Sequence, residues 1–230
     1  QQNHARLFRV GASDLQLGAK MAVYAAKELK IATVAVVDDR TSYGQGVAKE
    51  FANEAQKQGV KVVSTQFTTD KATDFNPILT AIRGVKPDAI FFGGYSAQAG
   101  PFLRQMKGLG VQAKLLGGDG ICSTETARLS GGAAGDNVLC TQGGALLDKA
   151  DAGRTFLKAY RDTYKRDPLT YAVAFYDAAM MIADAMQKAN SIEPGPVAEV
   201  MAKGAYAGVA GEYSFDAKRD LKSSAVTVFT

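Results

Sequence analysis

Ile31–Val37 reads IATVAVV and runs directly into DDRTSYGQG over residues 38–46. A continuous β-branched run bounded by polar residues suits a strand buried on both faces, and the Gly-containing polar stretch suits a loop at its carboxyl end. Val47, Phe51, Ala52 and Ala55 then recur on one helical stripe, with Gly59 beyond its end. This strand–loop–helix unit returns along the chain. Lys61–Phe67, Ala89–Phe92, Ala113–Leu116 and Asn137–Cys140 read as further strands. Helices are expected over Pro77–Arg83, capped by Asp74 or Asn76, after GGYSAQ with Pro101 near the start, and over Ser123–Leu129. The strand starts are about 24 to 30 residues apart, the length of a βαβ unit, so the fold class is α/β with a doubly wound parallel sheet.

On either side of this series the pattern differs. Leu7–Ala12 is expected to be a short strand, and Gly18–Lys30 a helix through Met21, Ala22, Ala25, Ala26 and Leu29. Beyond Gly144 come an amphipathic helix at Asp151–Tyr164 and a helix at Tyr171–Ala189 that is apolar on nearly every side. Such an all-round apolar helix is expected to be buried. Pro194–Lys203 is a third helix, with short strands at Gly211–Phe215 and Ser224–Phe229. This region is an incomplete, mainly helical layer.

Composition narrows the function. Of 230 residues, 47% are apolar and 22% charged, as in ordinary globular chains, and no stretch approaches the roughly 20 apolar residues that span a bilayer. The net charge of +4 is spread among nearly as many acids, which argues against a nucleic-acid partner. Lys158, Arg161, Lys165 and Arg166 cluster locally and read as a solvated helix face, an anionic partner being the alternative. One histidine, His4, stands in the polar start of the chain, and two cysteines without a Cys-x-x-Cys pattern leave no zinc set of the usual kind. The sequence calls for no cofactor. Nucleophile-and-base arrangements are missing as well: there is no G-x-S-x-G, neither cysteine has a histidine partner, and Asp38 and Asp39 are neighbours whose side chains point apart in extended chain. An α/β enzyme is therefore the least favoured class.

In open parallel sheets, ligands bind outside the carboxyl ends of the strands. Tyr43, Tyr95 and Asp119 all fall in such loops, the last within LLGGDGIC at Leu115–Cys122. Asp119 has two readings, a turn acid bonded to its own backbone or an acid facing a small cation. Phosphate is the weaker third option, because the acid repels it and neither GK[ST] nor G-x-G-x-x-G spacing is present. A tyrosine offers an apolar face and a polar tip to an amphiphilic ligand, though each of the two would also serve as rim packing. Cys122 and Cys140 enclose 17 residues, and the residues alone leave a bridge and two buried thiols both open, the position of the cysteines at and beyond the Asp119 loop making the bridge attractive.

Taken together, DDRTSYGQGVAKEF, TDKATDFNPILTAI, KPDAIFFGGYSAQAGPFLRQM, GGDGIC, TYAVAFYDAAMMIADAM and GVAGEYSFDAKRDLK resemble the branched-chain amino-acid binding proteins. Those are type I periplasmic binding proteins of ABC importers, and the resemblance runs from about Leu7 to the C-terminus. It implies two α/β lobes that close on a small amino acid, with Asp119 as the acid that holds the α-ammonium. Tyr43 and Tyr95 match aromatic pocket positions, and Tyr171 matches a pocket residue of the facing lobe. It further implies a Cys122–Cys140 disulfide, a periplasmic location and a membrane permease as partner.

On this reading residues 7–146, with 222–230 as a returning strand, form lobe two, and 147–221 are a remnant of lobe one. The chain starts at Gln1 rather than Met, and nothing in it corresponds to the family's early lobe-one segment. A shortened form with weak or no binding is therefore expected, self-associating through the Tyr171–Met186 helix. A ligand-sensing effector domain of a regulator or receptor is the alternative function for the same fold.

Overall fold

The computed structural model describes residues 6–144 and 146–230; His4 lies outside them. Contacts divide the chain into two compact units, one of Asp14–Gln142 with Val228–Thr230, the other of Gly143–Thr227 with the described residues before Asp14.

The first unit alternates helix and strand: α1 (Asp14–Lys27), β1 (Thr33–Asp38), α2 (Ser42–Lys57), β2 (Lys61–Phe67), α3 (Asn76–Val85), β3 (Ala89–Gly93), α4 (Ser96–Gly108), β4 (Lys114–Gly117), α5 (Thr124–Leu129) and β5 (Val138–Gly143). Its strands pair in parallel from β2 through β1, β3 and β4 to β5, and the sheet ends on β8 (Val226–Phe229) beside β5. The doubly wound arrangement expected from the spacing is thus present. The chain leaves β1 in one direction to reach β2 and in the other to reach β3, which makes the gap between β1 and β3 the switch point of the sheet.

Successive strand residues serve opposite faces. Ala35, Val37, Ile90, Phe92 and Leu115 join Phe75, Leu79 and Ile82 of α3 and Phe102, Leu103 and Met106 of α4 in one buried cluster. On the other face Phe51 of α2 stacks on Phe91 of β3 with ring centroids 4.0 Å apart. Each fully buried phenylalanine contributes about 1.5–3 kcal/mol, so these faces explain why IATVAVV and AIFF carry almost no polar residue.

Two local expectations are corrected. Pro101 lies inside α4, in its second turn. Its missing N–H frees only an early carbonyl of the helix, so the later turns continue. Helix α3 has Phe75 at its N-cap without a side-chain cap bond, and the Asp74 carboxylate instead accepts from the Asn76 N–H at 3.0 Å.

The second unit contains α6 (Asp151–Tyr164), α7 (Ala172–Ala189), α8 (Pro194–Lys203) and an antiparallel pair, β6 (Ala205–Ala207) with β7 (Glu212–Ser214). Its core is Met181, Tyr213 and Phe215, against which Phe8, Val10, Met201 and Leu221 pack. Asp177 organises the turn between β6 and β7. Its carboxylate accepts from the N–H groups of Val209 and Ala210 at 2.8 Å each and from the Tyr213 hydroxyl at 3.0 Å.

Leu7–Ala12 forms no strand. It is extended chain held to this unit by Arg9 N–H donating to the Arg219 carbonyl at 3.0 Å, the Arg9–Asp220 ion pair at 2.8 Å and the edge-on Phe8–Phe215 contact. By contacts, residues 7–13 fall in the helical unit and Val228–Thr230 in the unit that contains most of the sheet. Helix α7 is not buried all round either. Only Asp177, Met181 and Ala185 are buried, whereas Phe175 is 72% exposed and Tyr176, Met180 and Ile182 are also exposed.

Candidate functional site

At the carboxyl ends of β1, β3 and β4 three loops meet. The β1 loop is built by Asp39, whose Oδ1 accepts from both the N–H (3.0 Å) and the hydroxyl (2.6 Å) of Thr41. Thr41 in turn caps α2, its Oγ1 accepting from Gly44 N–H at 2.9 Å. Tyr43 therefore enters the first turn of α2 from a fixed start. Arg40, the cation of this loop, turns away from the rim: its guanidinium stands 3.9 Å over the Phe67 ring, and it pairs with Asp38.

The β4 loop turns immediately into a 3₁₀ turn at Asp119–Ile121. The Tyr43 hydroxyl donates to Asp119 Oδ1 at 2.7 Å and accepts from the Gly120 N–H at 2.9 Å. One phenol thus clamps both the acid and the backbone that bears it. Glycines allow the approach. A Cβ at Gly118 would lie 2.6 Å from the Tyr43 hydroxyl oxygen, and one at Gly120 would lie 2.4 Å from the Gly94 carbonyl. Ser96, just after the β3 loop, donates to the Gly120 carbonyl at 3.2 Å and lies 2.9 Å from Ser123 Oγ. The Cys122–Cys140 disulfide closes the other side of the turn by tying it to β5, with 5.3 Å between Cα atoms.

Tyr95 completes the group. Its ring lies 5.1 Å from that of Tyr43 between centroids, tilted by 36°, and is 44% exposed at the rim. Burial first, then the charges of Asp39, Asp119 and Asp14, holds the Tyr95 phenol above its ordinary pKa.

Three of the four residues singled out from sequence, Tyr43, Tyr95 and Asp119, are thus brought together. Tyr171, expected on the facing lobe, belongs to the other unit and stands 46% exposed at the N-cap of α7. Two further acids belong with this loop cluster. Asp39, in sequence only half of an adjacent acid pair, is 1% exposed and anchors the Tyr43 loop. Asp14 fell ahead of a helix expected to begin at Gly18, whereas α1 begins at Asp14 itself. A lone acid immediately before an apolar helical stripe was the available signal for Asp14.

The model of the family described as periplasmic binding protein matches residues 1–230. The chain is 33% identical over 217 residues to the Leu/Ile/Val-binding protein homolog 1 of Brucella abortus (strain 2308), covering 94% of this chain and 57% of that one. It is 29% identical over 227 residues to the leucine-, isoleucine-, valine-, threonine-, and alanine-binding protein of Pseudomonas aeruginosa, covering 97% and 59%. Among solved structures, a leucine binding protein, LivK, of Thermotoga maritima MSB8 superposes with a TM-score of 0.88 at 27% identity, covering 99% of this chain and 65% of that one. The branched-chain amino acid transporter substrate binding protein LivJ of Streptococcus pneumoniae, in complex with isoleucine, gives 0.79 at 25%, covering 94% and 66%. The chain spans somewhat under three fifths of the length of these two curated relatives. Sequence and fold together make this chain a member of the periplasmic binding protein family.

Proposed function

We propose that this chain belongs to the substrate-binding component of an ABC-type amino-acid importer, and that its sheet unit recognises the α-ammonium of a small, branched-chain or related amino acid. The observation that carries the reading is the Tyr43–Asp119 hydrogen bond at the switch point of the sheet. A carboxylate held by the Tyr43 hydroxyl beside a half-exposed aromatic ring suits an ammonium group next to an apolar side chain. Asp119 is the ammonium acceptor, Tyr43 its positioning residue and Tyr95 an apolar wall. The relatives' names point to the same ligand class. On this reading the protein works in the periplasm, delivers its ligand to a membrane permease and catalyses nothing.

The test compares leucine with N-acetyl-leucine by amide chemical-shift titration, which reads weak binding. Leucine is expected to shift Gly94, Gly118 and Gly120, and N-acetyl-leucine, which has no ammonium, to leave them unmoved. Equal responses to the two would remove the ammonium from the reading.

A second part of the proposal concerns the helical unit. The exposed face of α7, with Phe175, Tyr176, Met180 and Ile182, supports self-association of the 230-residue chain.

A further inference from the structure

At the opposite end of the same sheet from Asp119, the amino-terminal ends of β1, β3 and β4 surround a cavity of about 550 Å³. It is lined by the turns that bring α1, α3 and α4 back into those strands. Its walls carry Lys30, Arg83, Lys86 and Lys114 against one carboxylate, that of Asp88. Its apolar surface comes from Leu29, Ile31, Pro87, Val111 and Ala113.

Asp88 offsets only one of these four cations. Its Oδ2 accepts from the N–H groups of Ala32 and Thr33 and from the Thr33 hydroxyl at 2.8–3.0 Å. Those backbone donors hold its carboxyl below the usual pKa range, so the acid is tied to the start of β1. Arg83 is partly engaged, donating to the Leu109 carbonyl at 3.2 Å. No ion pair among the described residues includes Lys30, Lys86 or Lys114.

The backbone adds a second observation. The three turns each contain a residue of positive φ: Lys30 at 55°, Lys86 at 47° and Gly110 at 66°. Glycine adopts that conformation most easily, yet two of the three positions keep a lysine. Lysines near helix carboxyl ends also offset the helix dipole, which accounts for a cation after each helix but not for their convergence on an apolar-walled cavity.

We infer that this cavity is a second ligand site, for a small organic anion whose charged head meets Lys30, Lys86 and Lys114 and whose compact apolar body rests on Ile31, Pro87 and Val111. It is separate from the Asp119 rim and does not depend on what binds there. Carboxylates and phosphates share this chemistry.

The experiment titrates the isotope-labelled chain with phenyl phosphate, hexanoate, inorganic phosphate and benzyl alcohol, following amide shifts. Phenyl phosphate or hexanoate is expected to shift Lys30, Lys86, Gly110 and Lys114 and to saturate below about 10 mM. Whichever of the two binds more tightly identifies the headgroup. Inorganic phosphate should bind more weakly, and benzyl alcohol should cause no shift there. The combined Lys30→Gln, Lys86→Gln, Lys114→Gln variant should lose about tenfold in affinity while the Gly94 and Gly120 signals stay in place. If that variant does not give a native spectrum, Lys114→Gln alone is read the same way, with a smaller loss. Any one of four results overturns the site: no saturation, shifts centred on Gly94 and Gly120, inorganic phosphate binding as tightly as both organic anions, or unchanged affinity in the natively folded variant.

Discussion

Tyr43 and Asp119 stand 76 positions apart in sequence and are joined by a 2.7 Å hydrogen bond at the rim of the sheet. The same hydroxyl accepts from Gly120 N–H, so Tyr43 fixes both the charge and the turn that carries it. Removing it should impair binding more than folding. Tyr43→Phe keeps the ring against Tyr95 and is expected to weaken leucine binding by about 1.5–3 kcal/mol, the range for a hydrogen bond to a charged group. Asp119→Asn should abolish detectable binding. A calorimetric titration of Tyr43→Phe with unaltered leucine affinity would return Tyr43 to simple rim packing.

Upstream, Asp39 and Thr41 hold the turn from which Tyr43 departs. Thr41→Ala removes the cap from α2 and should cost about 1 kcal/mol of stability. Asp39→Ala removes both hydrogen bonds to Thr41 and should cost at least as much. Because the two side chains act in series, the double variant should cost less than the sum of the singles. Additive losses in denaturant titrations would show that they support different parts of the loop.

Two groups make stability depend on pH in opposite directions. Burial and the charge of Asp177 push the Tyr213 phenol well above the ordinary tyrosine range. A raised folded-state pKa means that this contribution is complete below the unfolded value near 10 and is lost as pH rises through the folded value. Asp88 is the reverse: its lowered carboxyl stabilises above the unfolded value near 3.9, and that is lost as pH falls through the folded value. Tyr213→Phe should therefore flatten the alkaline arm of a melting-temperature profile, and Asp88→Asn the acid arm. An alkaline arm of unchanged slope in Tyr213→Phe would assign it to other groups, of which Tyr95 and Tyr206 are also raised.

The rim was legible because strand period and loop position are local signals. Once IATVAVV, AIFF and AKLL are read as buried parallel strands, Tyr43, Tyr95 and Asp119 fall at their respective carboxyl ends by counting. Partnership was not legible, since nothing local links Tyr43 to Asp119 or Asp14 to Tyr95. Asp39 was hidden for a different reason. Two adjacent acids look alike in sequence, and only the fold exposes Asp38 in part while enclosing Asp39 against Gly44 and Gly94. In the helical unit, β6 is the three residues Ala-Tyr-Ala, too short for any period to register. Helix α7 misled because all-round apolarity reports what a helix wants to bury and not what covers it in this chain.

The Cys122–Cys140 bridge spans 18 positions and holds the Asp119 turn against β5. Reduction should lower stability by about 3 kcal/mol by loop-closure arithmetic. Its local effect should centre on residues 119–123, where the turn loses its covalent tie. Hydrogen exchange compared between oxidised and reduced protein would register this as faster exchange at Gly120 and Cys122 than at Phe91. A uniform change along the chain would mean that the bridge acts only on the unfolded state.

Phe175, Tyr176, Met180 and Ile182 leave an apolar surface on α7 in the second unit, backed by Phe156, whose ring centroid lies 5.3 Å from that of Tyr176. Removing such surface from water is worth about 25 cal/mol per Å², so two copies that each cover a few hundred square ångströms would gain several kcal/mol toward association. The 230-residue chain is expected to sediment as a concentration-dependent mixture of monomer and dimer. The double change Phe175→Ser with Met180→Lys should shift it to monomer without lowering its melting temperature, because neither side chain belongs to the Met181–Tyr213–Phe215 core. A monomer at all concentrations in the parent chain, or a dimer that survives both substitutions, would place the contact elsewhere or remove it.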